Sequence, residues 1–136
     1  MKIVVMDAQG GGIGRMLVEQ LKRERPDLPV TAVGTNTAAT AAMLKAGADQ
    51  GATGENAARV NAADADLILA PIGMLLADGM LGEVTAETAA AVGRSKAHKI
   101  LIPSTRCGVT VAGISAGSVT DCVAQAVRTA VMLADS

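Results

Sequence analysis

The chain has 136 residues, 12 basic and 13 acidic side chains, a net charge of −1, and no Phe, Trp or Tyr, although 50% of it is hydrophobic. One domain is expected at this length, with a core of Ala, Val, Ile, Leu and Met. Near-neutral charge without a basic run, and without aromatic rings to stack on bases, argues against nucleic acid as a partner. No apolar run approaches the about 20 residues of a membrane span, and the N-terminal run is too short for a signal peptide, so a cytoplasmic protein with no membrane contact is expected. Cys107 and Cys122 lack the spacing and the His neighbours of a zinc site or a disulfide framework. They are expected as free thiols, and no metal site is expected.

In chain order, Lys2 to Met6 reads as a first strand and Gly12 to Glu24 as a first helix, with Ile13, Leu17 and Leu21 on one face. The prolines at 26 and 29 break the pattern. Val30 to Val33 is a second strand; Gly34-Thr35-Asn36-Thr37 then supplies N-caps for a helix that runs through Met43 and Leu44 to Gly47. Gln50 to Thr53 reads as a third strand, Gly54-Glu55-Asn56 as a loop and Ala57 to Ala63 as a short helix with Asn56 as its N-cap. Leu67 to Ala70 is a strand closed by Pro71-Ile72-Gly73, Thr85 caps a helix to Arg94, and Lys99 to Pro103 is a fifth strand. Val109 to Ala112 is expected as a sixth strand, antiparallel to the fifth, before a last helix from Ser118 to Leu133. Such alternation implies right-handed βαβ units: an α/β, Rossmann-like three-layer sandwich with a mostly parallel sheet of five to six strands. Ligands of such sheets bind beyond the carboxyl ends of the strands, which gathers the loops at 8–14, 34–36, 54–56, 71–73 and 104–107 at one edge.

The first of these loops, Ala8-Gln9-Gly10-Gly11-Gly12-Ile13-Gly14, joins a strand to a helix. Unpaired N–H groups and the positive end of the helix dipole meet there, so a phosphate is favoured. The dinucleotide spacing G-x-G-x-x-G fails because position 15 is Arg, and the P-loop spacing fails because Arg15 and Met16 follow the last glycine in place of Lys and Ser or Thr. The turn resembles that of short-chain dehydrogenases at Gly12-Ile13-Gly14, with Ala8 at that template's first glycine, but the Tyr-x-x-x-Lys pair of those enzymes is absent. Asp7 would repel a phosphate placed close to it, so it should cap the loop's own amides, hold a sugar hydroxyl or bind a metal with the ligand. The second strand ends in Thr35 and Asn36 rather than in an acidic residue, and Arg15 offers charge to a 2′-phosphate, so NADP stands beside NAD.

The expected ligand set is therefore Gln9, Gly10, Gly11, Gly12, Ile13 and Gly14 for phosphate, Thr35 and Asn36 for sugar or phosphate, and Ile72 for a base. If there is catalysis, Glu55 is the candidate base, with Arg106 to hold a carboxylate or phosphate and Cys107 as a nucleophile or oxyanion partner. Ile72 to Leu81 is too long and apolar for an ordinary connection, and its methionines suit an adaptable surface. It is expected either to close over the ligand or to form a homodimer interface.

Six segments together carry a family resemblance: Gly-Gly-Gly-Ile-Gly in the first loop, Val33 to Asn36, Met43 to Asp49, Gly51 to Ala57, Pro71 to Gly73 and Lys99 to Pro103. They resemble a family of small bacterial proteins classed as a domain of unknown function, over nearly the whole chain. The resemblance implies a Rossmann-like fold and brings no activity with it. Two functions remain in view: a nucleotide- or dinucleotide-binding protein for a small phosphorylated ligand, catalytic or not, and a non-catalytic sensor or assembly subunit that forms a homo-oligomer.

Overall fold

The computed structural model describes residues 1–103, 108–114 and 117–136. Five strands form one sheet in the order β3-β2-β1-β4-β5, all neighbours parallel: β1 Ile3–Asp7, β2 Val30–Gly34, β3 Gln50–Thr53, β4 Leu67–Pro71 and β5 His98–Ile102. Every residue of β1, β2 and β4 is buried, whereas β3 and β5, at the edges, are partly exposed. Burial on both faces explains the apolar runs Ile3 to Met6 of β1 and Leu67 to Ala70 of β4: strands covered on both faces have no side to leave polar.

Alternate side chains of the strands enter two separate cores. Ile3, Val5, Val30, Leu67 and Leu69 pack with α1 (Gly12–Glu24), α2 (Thr37–Lys45) and α5 (Val119–Ala134). Val4, Met6, Val33, Ile68 and Ala70 pack with α3 (Glu55–Ala63) and α4 (Ala86–Arg94). The three-layer sandwich is thus as expected. Alanine supplies much of the second core, which lets α3 and α4 lie close without any aromatic filler.

Local capping follows the sequence. Asn36 Oδ1 accepts the Ala39 N–H at 2.8 Å, Thr85 Oγ1 that of Thr88 at 3.1 Å and Ser118 Oγ that of Asp121 at 3.1 Å. Each fills an acceptor that a helix start lacks. The second helix ends at Lys45, with Ala46 as its C-cap and Gly47, at φ 119°, as the expected glycine stop. Two expectations are corrected. No strand forms at Val109 to Ala112; this stretch lies between Gly108 (φ 67°) and Gly113 (φ 85°), whose left-handed backbone turns the chain away from an extended course. The cap of α3 is Gly54, at φ 106°, and not Asn56, whose side-chain oxygen accepts from Arg59 inside the helix instead.

Candidate functional site

Register aligns Asp7, Gly34 and Thr53 across β1, β2 and β3, so the loops that follow them meet at one edge. A cavity of about 530 Å³ opens there, lined by Asp7, Ala8, Gln9, Gly10, Gly11, Gly12, Ile13, Pro71, Met80 and Leu81. Its floor is the glycine loop. The stretch after β4 forms the opposite wall.

Within the loop the glycines do different things. A Cβ at Gly14 would stand 2.6 Å from Met43 Sδ and 2.9 Å from Asp7 Cβ, and one at Gly11, already left-handed at φ 73°, would stand 2.9 Å from Ala39 Cα. These two glycines serve packing against β1 and α2. At Gly10 and Gly12 a Cβ would meet nothing within 4 Å, so their absent side chains leave room over the cavity floor. The N–H groups of Gly10 and Gly12 have no acceptor among the described residues.

Asp7 is 4% exposed and points back into the loop. Its two oxygens accept the N–H groups of Ala8 and Gly14, each at 2.7 Å. Of the roles its position allows, capping the loop's own amides is the one the geometry shows. Burial raises its pKa above the ordinary range; the Gly14 and Ala8 amides work against this, while the nearby Glu83 carboxylate adds to it.

The residue that the sequence did not single out is Glu83. One of its oxygens, Oε1, accepts the Gln9 N–H at 2.9 Å, the Thr35 hydroxyl at 2.9 Å and the Asn36 side-chain amide at 2.8 Å. The same amide also donates to the Gln9 carbonyl at 2.9 Å. Thus the carboxylate missing from the end of β2 arrives from a segment 48 positions further on. No local signal marks it, since only the sheet order brings the two together. These donors, the Gln9 amide foremost, hold the Glu83 pKa below the ordinary range.

Asp7 and Glu83 therefore act on stability with opposite signs. Glu83 stabilises the fold above its unfolded pKa and loses that contribution as pH falls through its depressed folded value. The elevated pKa of Asp7 means that stability falls as pH rises from the ordinary carboxylate range through the folded value. Melting temperatures across a pH series should show the acid-side loss reduced in Glu83→Gln; an unchanged acid limb would contradict this assignment.

The wall after β4 begins with a single 3-10 turn, Ile72–Leu75, in which Met74 enters the second core. It continues through Asp78 (φ 63°), Met80 (φ 55°) and Leu81 (φ 59°), three side-chain-bearing residues in the left-handed region. Each costs about 1–2 kcal/mol relative to ordinary backbone. Contacts at both ends hold this conformation: Asp78 and Val84 are joined by an N–H to carbonyl bond at 2.7 Å, and Glu83 ties the segment to Gln9 and β2. Leu81, at the tip, is 98% exposed.

The remaining candidates lie elsewhere. Glu55 is the first residue of α3, not part of a free loop, and its carboxylate accepts the Thr85 hydroxyl at 2.6 Å. Ile72 does not line the glycine-loop cavity. It lines a second cavity, of about 380 Å³, between β5 and α5, together with Ile100, Leu101 and the half-buried Cys122. Arg15 is half-exposed and pairs with Glu19 at 3.4 Å. Arg106 and Cys107 fall outside the described residues. Among the described residues, no helix is long and apolar enough to cross a membrane.

A parallel β3-β2-β1-β4-β5 sheet with helices on both faces and a cavity over the first strand-to-helix loop defines a Rossmann-like α/β protein. The family model described as a domain of unknown function, DUF3842, matches residues 2–134, and the chain belongs to that family. No curated protein matches the sequence. Among solved structures, the chain is similar to a dodecameric FMN-dependent UbiX-like decarboxylase from Escherichia coli O157:H7, at a TM-score of 0.51 and 19% identity. The likeness covers 100% of this chain and 96% of the other, and it shows a shared fold.

Proposed function

We propose that the protein binds a nucleotide-type ligand at the carboxyl edge of its sheet, its phosphate held by the N–H groups of Gly10 and Gly12. The observation that carries this reading is the open space at those two glycines, above amides that have no acceptor among the described residues. A tight turn alone requires neither feature. The positive end of α1 adds to the attraction for an anion. Ile13 contributes less, because its N–H also lowers the Asp7 pKa, although it is the weakest of the influences on that group.

The FMN named for the structurally similar decarboxylase makes a flavin mononucleotide a candidate beside NAD and NADP. With Glu83 in place NAD suits the site, because a sugar hydroxyl near Thr35 and Asn36 could donate to its second oxygen; the 2′-phosphate of NADP would first have to displace the Glu83 carboxylate. The reading is of a binding protein, and Glu55, already bonded to Thr85, adds no base to the cavity. A second reading, a homo-oligomer assembled through the wall segment, is favoured by the exposure of Leu81.

The test is a thermal-shift series with FMN, FAD, NAD, NADP, adenine and guanine nucleotides and coenzyme A, read by calorimetry. One ligand class should raise the melting temperature selectively. In Gly12→Val the affinity for that ligand should fall at least about tenfold, about 1.4 kcal/mol, with little change in the unliganded melting temperature. Binding undiminished by the substitution, or no shift from any of these ligands, would overturn the proposal.

A further inference from the structure

Three neutral donors from two strand ends converge on a single oxygen of Glu83: the Gln9 N–H, the Thr35 hydroxyl and the Asn36 amide, all within 2.9 Å. Convergent donors of this kind make a site for an oxyanion, whichever molecule supplies the oxygen. The site is prebuilt rather than shaped by Glu83. Asn36 is fixed independently, because its Oδ1 accepts the Ala39 N–H at 2.8 Å and its amide also donates to the Gln9 carbonyl. Thr35 is fixed by its own N–H, which donates to the Asp7 carbonyl at 3.1 Å.

Glu83 itself is carried by a strained turn, in which its N–H donates to the Met80 carbonyl at 3.2 Å. It follows Gly82 (φ 89°) in a stretch whose residues Asp78, Met80 and Leu81 all adopt left-handed backbone, a conformation that side chains disfavour. The second oxygen of Glu83 accepts no hydrogen bond among the described residues.

We propose that Gln9, Thr35 and Asn36 form an oxyanion pocket whose resident is the chain's own Glu83, a latch that a carboxylate or phosphate group can displace. Displacement frees the Met80–Leu81 wall from the glycine-loop cavity. The pocket is separate from the Gly10 and Gly12 amides, so a ligand with one phosphate can sit on the loop with the latch closed. A ligand with a second anionic group gains entry by opening it.

Chemical rescue tests the pocket without any knowledge of the natural ligand. Glu83→Ala should melt several degrees below the wild-type protein. Acetate or phosphate should then restore its melting temperature saturably, beyond the change given by chloride at equal ionic strength. Rescue by acetate alone would mark a carboxylate pocket, and rescue by phosphate would mark one that also admits phosphate groups. In Glu83→Ala/Asn36→Ala the rescue should vanish, whereas phosphate bound only to the glycine loop would still raise the melting temperature of this double variant. That control separates failure of the pocket from failure of the loop reading. If Glu83→Ala does not fold alone, the same anions should promote its refolding. Indifference of melting and refolding to both anions, or acetate rescue that survives loss of Asn36, overturns the proposal.

Discussion

Asp7→Ala should lower the stability of the protein by roughly 2–4 kcal/mol, among the largest losses that any one polar side chain here can cause. Both carboxylate oxygens accept buried backbone N–H groups, from Ala8 and Gly14, at 2.7 Å. Alanine leaves both buried donors without their acceptor, and each unsatisfied amide costs about 1–3 kcal/mol. Removal of the buried charge itself offsets part of this, because desolvation already disfavours the ionised form of Asp7. For a domain of this size the net loss corresponds to a drop of about 6–15 °C in melting temperature. Asp7→Asn should fall between, since the carboxamide keeps one acceptor and turns an N–H₂ towards the other amide. Calorimetry is the appropriate measurement, as the chain has no Trp or Tyr to report unfolding. A Glu83-like cost confined to acid pH, with no loss at neutrality, would show that Asp7 does not hold the loop.

Gly34→Ala should destabilise by about 1–3 kcal/mol or more, for a steric reason that the sequence conceals. An added Cβ would lie 2.6 Å from the backbone N of Thr40 and 2.8 Å from the carbonyl oxygen of Asn36. Neither is the end of a flexible side chain, so the first turn of α2 must move away from β2. That movement disturbs Asn36, which caps α2 and bonds Glu83. The substitution should therefore lower the melting temperature by several degrees, while Gly12→Ala leaves it nearly unchanged because the space above Gly12 is open. Equal effects at the two positions would refute this division of the glycines.

That division marks where sequence reading stopped. Apolar runs make β1, β4 and most of β5 legible, while the exposed Gln50–Thr53 is legible mainly from its place between two helices; Asn36, Thr85 and Pro26 mark where helices begin and end. The edge at which the candidate cavity opens is legible too, since strand-to-helix loops of a parallel sheet share an edge. What the loop's glycines do is not. Gly10, Gly11, Gly12 and Gly14 are identical in sequence, and only their neighbours in other elements, Ala39 and Met43, distinguish packing from open space. Glu83 escaped for the same reason: its partner Gln9 lies 74 positions away. Val109 and Val111 carry strand propensity, but flanking left-handed glycines override it. Ile72 was placed in the right loop and on the wrong side of it, because a 3-10 turn redirects the chain immediately after β4.

The sheet order has a consequence for the life of the unfinished chain. Once β2 and β3 have formed, β1 is paired on one side only, and its other edge, running along Ile3-Val4-Val5-Met6, waits for β4. An apolar strand with open backbone groups is a template for pairing with another molecule, and so a route to aggregation. Here the wait is short. Only Asp64, Ala65 and Asp66 separate α3 from β4, so the closing strand is delivered with little loss of chain entropy. Lys2, just ahead of the exposed strand, meets that connection through its own N–H on Asp66 and its ammonium on Asp64. That short connection and Lys2 lie at the amino ends of the strands, opposite the glycine-loop cavity, and limit the time for which the open edge of β1 can pair with another molecule.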